Sequence, residues 1–127
     1  MKALIISLCI FLFIIILWFF VLNHMDQSLH ELIDMIENKI EPAISQENWG
    51  EAKEEFLILK ERWHEHQGLY NLFIDEASVM EINYANARIN VYITKKASVL
   101  ALSELSFVRE HLSALHENEL ISIENVL

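Results

Sequence analysis

Residues 3–22 read ALIISLCIFLFIIILWFFVL, twenty positions in a row without a charge, a proline or a glycine. An α-helix of about 20 such residues is long enough to cross the hydrocarbon core of a bilayer. A helix that is apolar on every side has no place on the surface of a water-soluble domain of this size. The run therefore sets the first expectation, an N-terminal transmembrane helix in the membrane lipid bilayer. Two cleavable alternatives fit less well. A secretory signal has a shorter apolar core, roughly 7–15 residues, and small residues at its cut site. Here the run ends FFVLNHMDQ, and Cys9 lies deep inside it behind Leu8, so neither a secretory nor a lipoprotein cleavage site is offered. We expect an uncleaved signal anchor over residues 1–23 and a second domain over residues 24–127.

The flanks give an orientation. Lys2 and the α-amino group precede the run, and the next basic residue is Lys39, reached only after Asp26, Glu31, Asp34 and Glu37. Positive flanks stay on the cytoplasmic side. The expected localisation is the cell membrane, single-pass, with the N-terminus cytoplasmic, the C-terminal domain extracytoplasmic and Trp18 near the outer interface. That domain carries all 19 acidic residues and eight of the nine basic ones, a formal charge of −11. Nucleic acid is disfavoured as a partner, because phosphate binding needs clustered Lys and Arg. An anionic lipid surface is disfavoured for the same reason. The single cysteine lies in the apolar run, so no disulfide can form within the acidic domain. Its core has to hold it together.

Pro42, Gly50 and Gly68 are the only helix breakers, which points to helices throughout. Apolar residues three and four apart share one helix face, and four such sets recur. They are Leu29, Ile33, Ile36, Ile40 and Ala43; then Trp49, Ala52, Phe56, Leu59 and Trp63; then Leu69, Phe73, Met80, Ala87 and Val91; and last Ala101, Leu105, Val108, Leu112 and Leu115. The second set is expected to be core packing. Pro42 should interrupt the first helix, Ser45 could cap the second and Gly68 suits its C-terminus. Ser98 could cap the fourth, and the tail ENELISIENVL could dock as a short extra turn. The expected fold class is all-α: a transmembrane helix followed by an up-and-down bundle of about four helices. The third of these has a second apolar row, Val79, Ile82, Ile89 and Ile93. Interior packing is the ordinary fate of such residues, and a partner surface is the alternative. That row is the candidate interaction surface. Glu76 and Asn83 fall in the main stripe and are expected at its rim.

Chemistry finds little to rest on. The stretch KERWHEHQGLY, residues 60–70, holds Glu61-x-x-His64, one half of the motif used by di-iron bundles, but no second copy follows. At about 100° per residue Glu61 points away from the core stripe, and His64 and His66 diverge. No metal site is expected there. His111 and His116 are five apart and do not share a face, whereas His24 and His30 could meet acids from another helix. Protonating all six histidines would take the acidic domain from −11 to −5, so some pH sensitivity is expected. There is no G-x-S-x-G, no Gly-rich phosphate loop and no cysteine outside the run. No catalytic residue, cofactor or enzyme activity is expected.

The pattern Trp49-x-x-Ala52, Phe56 and Trp63 within ENWGEAKEEFLILKERW, a long helix, and the ending LISIENVL resemble domain-of-unknown-function family 4363. The resemblance implies a short bacterial protein with one N-terminal span and a helical remainder, found mainly in spore-forming Firmicutes and without assigned activity. It also implies an accessory partner of small polytopic membrane proteins, sometimes in a sporulation setting. The same Trp-x-x-Ala start is similar to one hairpin of a tetratricopeptide repeat, although no second copy at that period is present. The leading expectation is a non-catalytic helical interaction module with a membrane-protein partner or a homo-oligomeric one. The runner-up is an extracytoplasmic ligand- or metal-binding sensor domain. A third possibility is a structural anchor that associates through its span, for which Ala3-x-x-x-Ser7 is a weak signal.

Overall fold

The computed structural model describes the backbone of residues 1–126 and their side chains, except those of Phe73 and residues 118–126. Helices form where the apolar spacing places them, and no strand occurs among the described residues. Helix α1 spans Lys2–Met35 and continues through a π-helical turn, Ile36–Ile40, into the short α2, Glu41–Ser45. Then come α3 (Trp49–Phe73), α4 (Glu76–Thr94) and α5 (Ser98–Val126). The first 44-residue helical stretch rises about 66 Å at 1.5 Å per residue. Its apolar half is exposed almost throughout, and burial begins at Val21 and Met25. The helix is long and apolar enough to cross a membrane, and the expected boundary near residue 23 falls inside it.

The rest is a helical bundle. Helix α1 packs on α3 and α5, α3 on α4, and α4 most extensively on α5. Short connections make successive helices antiparallel neighbours. Three of the four sequence stripes supply core residues: Leu29, Ile36, Ile40 and Ala43 on the first helical stretch, and Ala52, Phe56, Leu59 and Trp63 on α3. Ala101, Leu105, Val108, Leu112 and Leu115 supply α5. Trp49 is half-buried against this core.

The joints differ from expectation in three places. Pro42 does not end the first helix. It lacks an N–H, and its ring would press on the carbonyl four residues back in an ordinary α-turn. The turn before it widens instead, with the Glu41 N–H donating to the Ile36 carbonyl five residues back, and the helix runs on to Ser45. Ser45 is thus a last helical residue. Asn48 caps α3, its side chain accepting from the Glu51 N–H and donating to the Glu51 carboxylate at 2.8 Å. Gly68 lies within α3, which continues to Phe73 and stops before Asp75, the residue that caps α4 through the Ala77 N–H. The α4–α5 joint is where the sequence puts it. There Ala97 takes the capping position and Ser98 is the first helical residue. The tail is a continuation of α5 rather than a separate turn, and its side chains lie outside those described.

Candidate functional site

The rotation of α4 decides which of its two apolar rows faces outward. On one flank, Asn83 accepts a 2.7 Å hydrogen bond from the Trp63 indole of α3. On the other, the Arg88 guanidinium makes two 3.0 Å bonds to Glu104 of α5, and Glu81 meets His111 at 2.8 Å. The bonds to Glu104 raise the Arg88 pKa. With Asn83 turned to α3 and Glu81 and Arg88 to α5, the residues between them must point inward. Val79, Ile82, Ile89 and Ile93 are accordingly 0–3% exposed. They are core, and the expectation that they form a partner surface is overturned. The α4 part of the row expected to be core, Met80, Ala87 and Val91, faces out: Met80 and Val91 are 41 and 53% exposed and Ala87 is exposed, and Ala77 and Tyr84, the latter 56% exposed, lie on the same face. Asn83 is a bonded joint between helices, beyond the rim position expected of it.

Residues 77, 80, 84, 87 and 91 alternate in steps of three and four, the spacing with which one helix receives another. The outer face carries further apolar side chains. Leu57 on α3 and Leu100 and Phe107 on α5 are exposed, and the Phe107 ring stacks on His111 at 4.8 Å.

The second candidate is polar and lies at the bundle end nearest the apolar half of α1. Asp26, Gln27, His30, Glu31 and Asp34 of α1, with His116 of α5, line an open groove of about 460 Å³. His116 Nε2 meets the buried Oδ1 of Asp26, and Arg62 of α3 pairs with Glu31. The rings of His30 and His116 lie 6.3 Å apart. His24 meets His66 edge-on at 5.3 Å, and His66 also lies 6.2 Å from the Tyr70 ring. Helix pairing brings His24 and His30 to histidines of other helices, His66 and His116, where acids were expected, and it is His116 that meets the acid, Asp26. Glu61 and His64 stay exposed. Among the described residues, no three His, Cys, Asp or Glu side chains gather closely enough to hold a metal ion. The groove presents two imidazoles and three carboxylates.

Between these two faces runs a buried polar seam that the apolar stripes do not announce. Ser28 and Tyr70 hydroxyls bond at 2.6 Å across α1 and α3, and Trp63 stacks on Tyr70 at 5.0 Å. Tyr70 continues the α3 stripe seven residues beyond Trp63, which is the sequence signal for it. Asn86 is 3% exposed, and a polar residue on the inward side of α4 has no such signal.

The fold and these faces define a class: a helical bundle built onto one helix of membrane-crossing length, with an apolar ridge on α4 and a histidine–carboxylate groove at one end. A family model described as Domain of unknown function (DUF4363) matches residues 19–126, and the chain belongs to that family. No curated protein and no solved structure matches the chain.

Proposed function

We propose that the protein is a membrane-anchored, non-catalytic helical interaction module, an accessory partner of another membrane protein. The apolar half of α1 holds it in the cell membrane, with the N-terminus cytoplasmic and the bundle outside. The observation that carries this reading is the exposed ridge of Met80, Tyr84 and Val91 on a helix whose other apolar row already fills the core. A row of large apolar side chains at helix-pairing spacing is suited to burial against another chain. A photoreactive amino acid at Tyr84 in growing cells should join the protein to one reproducible membrane protein. Protease added outside intact protoplasts should digest the bundle. A mature protein without its first two dozen residues, or a bundle protected from that protease, would sink the reading.

A second reading is an extracytoplasmic ligand- or metal-binding sensor; the groove of Asp26, His30, Asp34 and His116 would take the ligand, and no metal-holding trio gathers there among the described residues. Titration calorimetry of the full chain in nanodiscs with zinc, calcium and manganese separates the two. Stoichiometric heat at micromolar metal supports the sensor, and its absence in all three titrations removes metal sensing.

A further inference from the structure

The charges around the α4 ridge are not arranged like those of the rest of the bundle. All three arginines are paired within the chain: Arg62 with Glu31, Arg88 with Glu104, and Arg109 with Glu41 and Glu37. The lysines are not. Of the five after residue 23, Lys95 and Lys96 lie at the end of α4, and Lys53 and Lys60 on α3, which packs against α4. Lys95 and Lys96 follow the last turn of α4 directly. On α3, Arg62 reaches α1 through Glu31 and Met35, while Trp63 reaches α4 through Asn83. Lys60 and Lys53, three and ten residues before Trp63, fall on the α4 flank of that helix and are exposed. None of these four lysines forms an ion pair with a described residue. A domain with 19 acids thus keeps these unpaired lysines beside the long exposed apolar row of α4, with Leu57 exposed between the two α3 lysines.

We infer that this face receives a single α-helix of a partner protein, apolar at three-and-four spacing and acidic along its flanks. The inference rests on the interaction-module reading and adds the chemistry of the partner. The spacing of residues 77, 80, 84, 87 and 91 calls for a helix, because only an α-helix presents knobs that match it. The lysines call for acidic flanks: opposite charges beside an apolar seam choose the partner and its direction. A second copy of this chain fits poorly. Two copies held in one membrane by the same anchor run in the same direction, so Lys95 and Lys96 face their own equivalents at one end, and Glu76 faces its own at the other. Like charges so placed oppose pairing.

The test uses the full chain in nanodiscs of phosphatidylcholine, which carries no net charge. Three labelled helical peptides serve as probes: a Leu/Ala stripe with Glu flanks, the same stripe with Lys flanks, and Glu flanks with a Ser/Gln stripe. Fluorescence anisotropy at low salt should show the first binding at least about tenfold more tightly than either of the others. Tyr84→Ser with Val91→Ser should weaken it about tenfold or more, and Lys53→Glu with Lys60→Glu should shift preference towards the Lys-flanked peptide. Added salt should weaken the binding of the Glu-flanked peptide. These positions are exposed, so the helical signal and Tm of each variant serve as the folding control. Equal or tighter binding of the Lys-flanked peptide, or Glu-flanked binding indifferent to Tyr84→Ser and Val91→Ser, overturns the inference. In parallel, Tyr84→Cys in a Cys9→Ser background is oxidised in the membrane. An inter-copy disulfide at Tyr84→Cys gives the face to a second copy and overturns the acidic-helix partner while leaving the module reading intact. Absence of any crosslinked protein at Tyr84 in cells is the separate result that removes the module reading itself.

Discussion

Glu47 and Lys96 both sit at positive φ, 59° and 56°, where an L side chain crowds its own backbone. Each follows a helix end closed by a six-residue bond, Asn48 N–H to the Ala43 carbonyl in one turn and Ala97 N–H to the Tyr92 carbonyl in the other. Glycine is the usual residue at such a position. Glu47→Gly and Lys96→Gly should therefore each stabilise the bundle by about 0.5–1 kcal/mol, because relief of the crowding exceeds glycine's extra chain entropy. Thermal unfolding followed by circular dichroism checks this as a rise in Tm. The opposite sign is expected at Tyr70. Tyr70→Phe leaves the buried Ser28 hydroxyl without the tyrosine that bonds it at 2.6 Å, and should cost about 1–2 kcal/mol. Urea unfolding of the wild type, Tyr70→Phe and the double variant with Ser28→Ala tests the pairing: the double variant should regain part of the loss.

Helix α4 shows how an element can be legible while its orientation is not. Its end before Lys95 follows from composition, but its start does not: Leu69 and Phe73, counted in its stripe, belong to α3, and Asp75 opens α4. Its two apolar rows are equally periodic, so spacing alone does not rank them. The β-branched row wins the interior because hydrogen bonds and ion pairs on both flanks, from Asn83, Glu81 and Arg88, fix the rotation. This separates the rows experimentally. Ile82→Ala and Ile89→Ala should each destabilise by about 2–5 kcal/mol by leaving cavities, whereas Tyr84→Ser and Met80→Ser should change stability by less than about 0.5 kcal/mol. Equal losses in the two rows on chemical denaturation would mean that α4 is turned the other way. The π turn teaches a related lesson. Pro42 is visible in the sequence as a conflict, but whether the chain breaks or widens depends on what the next turn buries. Here Ile40, Ala43 and Ile44 all reach the core, which holds the helix together through the widened turn. Pro42→Ala should allow an ordinary α-turn and rotate that packed end; amide exchange at residues 36–44 reports the change.

At the scale of the whole molecule the apolar half of α1 and the bundle are one rod at their junction, since α1 runs unbroken from the apolar run into the core. A force or tilt on the apolar half would reach Met25, Leu29 and the His116–Asp26 pair without an intervening linker. Inserting a flexible Gly-Ser segment after Asn23 should leave the unfolding midpoint of the bundle nearly unchanged if packing alone holds it. A large loss would show that the continuous helix contributes to bundle stability. The apolar run, the helical class, the four helices and most core stripes were readable from the letters, because helix burial imposes its period directly on the chain. Residue type and spacing are properties of one helix taken alone. Which row of α4 faces water, which histidines meet which carboxylates, and where the unpaired lysines lie beside an apolar ridge were decided only on packing. Those are relations between helices, set by rotations that no single helix's sequence contains.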